Sequence, residues 1–246
     1  MRLLHLVAHR GNSAEFPENT LPALRSALAL GVRFIHLDVH LSGDGIPVVC
    51  NEQSLARAGG TADMSAATLA TLDVGRPDLF GERFRETRIP LLAAILELLE
   101  GHPEITLFAE LGRAAVARFG HDKLIVEVAR TLHPFRSRCV LVSKDLATIH
   151  TARTRVSYPV GWMLAAYDAH ARLKFEAFQP EYLFCSRSAL PAAGSLWRGP
   201  WRWAIADVGE LQTALDLASR GADFVVTAQV RRLGEAMRAR AAAAGR

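Results

Sequence analysis

A closed (β/α)8 TIM barrel in a single domain is the fold class the sequence predicts, and three observations predict it. The chain runs to 246 residues with no linker-like stretch to divide it, the usual size of one α/β barrel. Short apolar runs alternate with helix-period segments about eight times, which favours a closed barrel over an open doubly wound sheet. Ionisable side chains, His9, His36, Asp38 and Glu110, stand at the ends of successive apolar runs, and a parallel barrel collects its chemistry at the carboxyl ends of its strands.

The elements follow in order. A first strand over residues 3–8 delivers His9-Arg10-Gly11, and Thr20 caps a helix reaching residue 30, with Pro22 in its first turn and Gly31 as its stop. In the strand over 33–39, alternation places Phe34, His36, Asp38 and His40 on one face and Ile35, Leu37 and Val39 on the other. The apolar face packs on helices, so the polar face looks into the barrel mouth, where water, a metal or other polar groups satisfy it. A turn at residues 42–45 leads to an extended piece over 46–50 that ends on Asn51-Glu52. Residues 59–88 show little periodicity beyond a helix over 65–72. A helix over 91–100 stops at Gly101, and a strand over 105–109 delivers Glu110. Helices over 121–132 and 145–153 alternate with strands over 139–143 and 159–164; strands over 181–185 and 201–206, a helix over 208–220, a strand over 223–227 and a helix from 231 complete the count. Residues 1–240 thus form one barrel domain, and the Ala-rich residues 241–246 are expected to fray.

Composition narrows the function classes. Half of the residues are hydrophobic and 22% are charged, which supports a self-sufficient core and excludes a disordered chain. The net charge of +4 is spread over basic residues interleaved with acids, without the Lys/Arg run of a nucleic-acid surface. Cys50, Cys139 and Cys185 are odd in number and lack metal-ligand spacing, which suits reduced thiols in a cytoplasmic protein. The first apolar run is too short for a signal peptide, and no stretch approaches the ~20 apolar residues of a membrane span.

His, Asp and Glu side chains converging on one point ligate a divalent cation, and an adjacent Arg10 holds a phosphate or carboxylate through paired hydrogen bonds. Strand position alone serves equally well a hydrogen-bonded core histidine at His9 and a loop-fixing aspartate at Asp38. Ser143-Lys144 and Ser186 lack the Gly-x-Ser-x-Gly setting of a nucleophile. Trp197, Trp201 and Trp203 are expected to fill the late strands rather than line the mouth.

His9-Arg10-Gly11, Pro17-Glu18-Asn19-Thr20, His36-Leu37-Asp38-Val39 and the segment from Asp44 to Val49 together resemble the opening of the glycerophosphodiester phosphodiesterase family. Leu55-Ala56-Arg57, Phe108-Ala109-Glu110, Trp203 and the segment from Gly221 to Thr227 extend the resemblance over nearly the whole chain. The resemblance implies a TIM barrel that hydrolyses glycerophosphodiesters to an alcohol and glycerol 3-phosphate with a divalent metal, usually calcium or magnesium. It also implies His9 as one of two acid/base histidines, Arg10 on the phosphate, and Asp38 and Glu110 as metal ligands.

Six positions depart from the family pattern, all at one face. His36 replaces a third carboxylate ligand, Asn51-Glu52 replaces a His-Asp pair carrying the second catalytic histidine, and Gly112, with Arg113 adjacent, replaces a lysine. Ala206 and Ala228 stand for an asparagine and an aspartate. Asn51 exchanges no proton near neutral pH, and Glu52, in an extended segment, would face away from it. Calcium and magnesium prefer oxygen, so His36, Asp38 and Glu110 suit zinc or manganese better, or no metal at all. Arg113 is left to supply the phosphate cation. Two functions follow: a phosphodiesterase with a degenerate site and weak or altered activity, or a non-catalytic relative that binds a phosphorylated ligand or a protein partner.

Overall fold

The computed structural model describes residues 4–244. The chain enters through β1 (His5–His9), α1 (Leu21–Ala29), β2 (Phe34–Leu41) and β3 (Pro47–Val49). Three short helices follow, α2 (Glu52–Arg57), α3 (Ala66–Leu69) and α4 (Pro77–Phe80), before α5 (Leu92–Leu99). Strands and helices then alternate as β4 (Thr106–Leu111), α6 (Arg113–Leu132), β5 (Cys139–Ser143), α7 (Leu146–Val156), β6 (Val160–Met163) and α8 (Ala169–Phe178). The chain continues through β7 (Tyr182–Ser186), β8 (Arg202–Ala206), α9 (Leu211–Arg220), β9 (Phe224–Thr227) and α10 (Val230–Ala244).

All strands but β3 pair in parallel, and β1 bonds to both β9 and β2, so the sheet closes into an eight-stranded barrel. The expected (β/α)8 barrel is therefore the fold. β3 pairs antiparallel with the end of β2 and extends the rim above the barrel. Alternation along the strands separates two cores. Inside, Val7, Phe108, Val140, Val142, Phe184, Phe224 and Val226 plug the barrel floor, with the rings of Phe34 and Phe224 4.9 Å apart. Outside, Ile35, Leu37, Val39, Leu107 and Leu141 pack in one cluster with the helices. Below this plug His5 and Arg202 close the amino end against Phe224, and above it His9, His36, Asp38 and Glu110 gather at the carboxyl end.

The structure differs from the expectations at definite places. β1 begins at His5 and runs to His9; Leu3, which the expected strand included, lies outside the described residues. α6 starts at Arg113 and is broken at Gly120, whose φ of 75° is left-handed, so the predicted helix is only its second half. Residues 187–201 cross from β7 to β8 without an α-helix. Trp197 of that crossing stacks on Tyr167 at 3.7 Å and Trp201 meets Phe175 edge-on, so the tryptophans pack as expected. The last helix, α10, extends to Ala244, and residues 245–246 lie outside the described residues. The segment of weak periodicity packs Ala66 and Leu69 into a small core with Val48, Cys50, Leu55 and Ile89. Carboxylates pin its loops: Asp44 accepts from the Ala66 amide at 2.9 Å, and Asp73 from the Gly75 and Glu86 amides at 2.8 and 2.9 Å.

Candidate active site

Strand register assembles the mouth. His9 lies level with His36 across β1 and β2, and Asp38 level with Glu110 across β2 and β4. The four side chains therefore meet in two layers above the apolar plug, as the sequence predicts. His36 is buried, its ring 5.3 Å from that of His9 and 6.2 Å from Phe184.

The turn after β1 is shaped by backbone conformation. Arg10 and Gly11 are both left-handed, with φ of 61° and 84°. A Cβ at Gly11 would lie 2.7 Å from the Ala23 carbonyl carbon, so only glycine lets the turn close onto α1. The Arg10 amide donates to the His36 carbonyl at 2.7 Å, and the Asn19 amide to the Arg10 carbonyl at 3.0 Å. Asn19, also left-handed, is fully enclosed: its Nδ2 donates to Oδ2 of Asp38 at 2.7 Å while its Oδ1 accepts from the Asp38 amide at 3.2 Å. Asp38 is thus fixed from two sides.

Arg10 spends its guanidinium inside the site. Its Nη1 donates to Oε2 of Glu18 at 2.6 Å, and its Nε stands 2.6 Å from Oδ2 of Asp38. Glu18 further accepts from Ser54 Oγ at 2.9 Å and Arg57 Nη2 at 3.1 Å. Burial alone would raise the Glu18 carboxyl, but the Arg10 charge and hydrogen bonds from Arg10 and Ser54 hold it at about 2. Glu18 and Asn19 entered the sequence reading only within the run Pro17-Glu18-Asn19-Thr20, which follows the strand that bears His9, and no role was assigned to either.

Electrostatics divide the remaining groups. Burial lowers His9 to about 3, helped by the charges of His36 and Arg10, so its imidazole is neutral at neutral pH. Burial raises the Asp38 carboxyl against the pull of Arg10, whereas His36, Lys144 and Arg10 hold Glu110 below the usual carboxylate range despite its burial. Ligand atoms of His36, Asp38 and Glu110 all lie within 4.8 Å of one another. Nε2 of His36 is 3.2 Å from Oε2 of Glu110, yet neither ring nitrogen has a hydrogen-bond partner of good geometry. A buried imidazole whose nitrogens make no well-aligned hydrogen bond, facing two carboxylates, fits a metal of borderline softness, so these residues suit a divalent cation.

Asn51 and Glu52 reach the mouth differently from the expectation. Asn51 is the N-cap of α2, its Oδ1 accepting from the Ser54 amide at 2.7 Å. Because the chain turns helical at Glu52, the two side chains are not on opposite faces, and both line a cavity of about 250 Å³ with Arg10, Asp38, Glu110 and Arg113. Oε1 of Glu52 accepts from the Ala114 amide at the start of α6, 3.2 Å away. Arg113 is exposed at that rim. Lys144, which the sequence offered only as part of a discounted nucleophile pair, lines the same cavity with Nζ 3.7 Å from Oε1 of Glu110. Cys50, Cys139 and Cys185 are buried free thiols outside the site, and no helix among the described residues is long and apolar enough to cross a membrane.

Fold and site together define a class: a parallel α/β barrel whose carboxyl-end mouth gathers His9 and His36 with Asp38, Glu110 and Arg10. The model of the glycerophosphoryl diester phosphodiesterase family matches residues 9–185, more than half of the chain, and the chain belongs to that family. It is 32% identical over 142 residues to a glycerophosphodiester phosphodiesterase of Caldanaerobacter subterraneus subsp. tengcongensis, covering 56% of this chain and 57% of that one. It is also 32% identical over 117 residues to mouse glycerophosphodiester phosphodiesterase 1, covering 45% and 35% respectively. The chain thus spans about half or less of the length of these relatives. Among solved structures, an Oleispira antarctica phosphodiesterase in complex with the product sn-glycerol-3-phosphate superposes with a TM-score of 0.81 at 23% identity, covering 96% of this chain and 97% of that one. A glycerophosphodiester phosphodiesterase of Agrobacterium tumefaciens gives 0.72 at 19%, covering 95% and 100%. These likenesses carry the fold.

Proposed function

We propose that the chain is a phosphoric diester hydrolase of the glycerophosphodiester type with a divalent metal at His36, Asp38 and Glu110 and with weak activity on ordinary glycerophosphodiesters. The observation that carries it is the convergence of the buried His36 imidazole with Asp38 and Glu110, their ligand atoms within 4.8 Å of one another, beside a neutral His9. A bound cation there would act as a Lewis acid toward phosphoryl oxygens. His9, neutral at working pH, accepts the proton of the attacking oxygen. Arg10 holds the phosphate by releasing part of its grip on Glu18 or Asp38, joined by a second cation at the rim of the mouth. Asn51 stands where a second proton-transfer group is required, and an amide serving as a helix cap cannot protonate a leaving alkoxide. Family membership and a relative solved with sn-glycerol-3-phosphate support a small phosphorylated ligand. Zinc or manganese is favoured over calcium or magnesium because imidazole nitrogen replaces a hard oxygen.

Binding of a phosphorylated ligand without turnover is the second reading, favoured by the structural duty of Asn51. The deciding experiment is release of glycerol 3-phosphate from glycerophosphodiesters by wild type, His9→Ala and Asp38→Asn with zinc, manganese, calcium or magnesium. Slow turnover that needs metal and is abolished in both variants supports the enzyme; ligand binding without turnover under every metal supports the binder.

A further inference from the structure

Lys144 follows the last residue of β5, and its backbone is pinned from both sides. Its carbonyl accepts from Nε1 of Trp162 at 3.3 Å. Ser143 Oγ donates to the Leu111 carbonyl and accepts from the Asp145 amide, both at 3.2 Å, while Asp145 caps α7 through the Thr148 amide at 2.9 Å. Only the side chain is left to move; it is half-exposed and tethered to Glu110 by a loose ion pair of 3.7 Å.

The register of β4 and β5 sets Glu110 level with Val142. Continued two residues along both strands, it sets Gly112 level with Lys144, on the same face as Glu110. Position 112 has no room for a side chain while His40 stands where it does. A Cβ there would come within 2.5 Å of Nε2 of His40, a buried side chain of β2 that occupies the space. Arg113 belongs to the first turn of α6, outside the strand register that aims Glu110 inward.

We propose that Lys144 is the phosphate-binding cation of this mouth, moved one strand sideways from the lysine that the family pattern places at position 112. The proposal rests on the reading that the mouth takes a phosphodiester. An ammonium on a four-carbon stem, held weakly by one carboxylate and half in solvent, swings to an incoming phosphate at little cost. His40 and Gly112 are then two halves of one change: the imidazole fills what the lost side chain vacated, and the charge returns from β5.

Calorimetry with inorganic phosphate and sn-glycerol 3-phosphate as probes tests this on wild type, Lys144→Met and Arg113→Met, with thermal unfolding as the control for folding. Lys144→Met is expected to bind both probes about tenfold more weakly, with a shallower dependence on salt and an unchanged unfolding temperature, while Arg113→Met changes little. Adding His40→Ala and Gly112→Lys to Lys144→Met is expected to restore binding. Wild-type affinity in Lys144→Met, or the loss appearing in Arg113→Met instead, overturns the assignment while leaving the proposed function standing. A wild type that binds neither probe overturns both.

Discussion

His36 and Asn51 decide the chemistry at the level of single residues. A buried polar group without a partner costs about 1–3 kcal/mol; Nδ1 of His36 is in that position, and Nε2 meets only the Glu110 carboxylate at 3.2 Å. A cation bound by the ring and by Asp38 and Glu110 would relieve it. His36→Glu is therefore expected to shift preference toward calcium and magnesium, read by calorimetry on chelator-treated protein; tight calcium binding by the wild type with no response to zinc would remove His36 from the ligand set. Asn51 carries a cap worth about 1 kcal/mol to α2, so Asn51→His trades helix stability for a proton-transfer group. A missing acid/base group costs at least ~10² in rate. Asn51→His alone is expected to recover little turnover, and Asn51→His with His36→Glu more than the two singles combined, because groups acting in one transition state are not additive. Wild-type turnover of glycerophosphocholine at ordinary enzyme rates, about 10 s⁻¹, would contradict this and point to Glu52 as the compensating acid.

At the level of elements, the turn from β1 to α1 couples backbone strain to the site. Arg10, Gly11 and Asn19 all sit at positive φ, and Asn19 holds Asp38 through two hydrogen bonds. Gly11→Ala adds a left-handed penalty of about 1 kcal/mol and a collision with the Ala23 backbone, so it is expected to lower the unfolding temperature and to loosen metal binding together. A variant that kept both would show that the turn does not position Asp38. What was legible here follows from periodicity. Two-residue alternation put His36 and Asp38 on one face of β2, and an apolar run ending at Glu110 put it on the same barrel end. Residues positioned by anything other than periodicity were missed or misplaced. Glu52 was set on the wrong face because Asn51 starts a helix where an extended segment was expected. Lys144 reaches Glu110 only through the pairing of β4 with β5, which no single strand contains. Residues 59–88 are ordered by carboxylate-to-amide bonds from Asp44 and Asp73, which leave no repeat in the sequence.

For the molecule as a whole, burying this many ionisable groups in one mouth couples stability to pH. In the metal-free protein, His9 titrates at about 3 when folded and near 6.5 when unfolded, so between those values the unfolded chain binds the extra proton and acid favours unfolding. Glu18, at about 2 when folded against 4.5, acts in the same direction at lower pH, and so does Glu110, whose carboxyl is also held low. Burial lowers His5 and His40 too, adding to the upper part of the window. Asp38 runs the other way, since burial raises its carboxyl and protonation in the fold stabilises it. The groups that lose stability in acid outnumber it. Denaturant unfolding of chelator-treated protein is therefore expected to show stability falling as pH drops from about 6.5 toward 3, each histidine contributing at most about 1.4 kcal/mol per pH unit. His9→Asn is expected to flatten the slope between pH 6.5 and 4.5 by one proton's worth and to leave the steeper loss below pH 4.5, where Glu18 and Glu110 titrate in the unfolded chain. An unchanged slope in His9→Asn would mean that His9 is solvated and charges freely in the fold, and its place as the neutral proton acceptor of the mouth would fall with it.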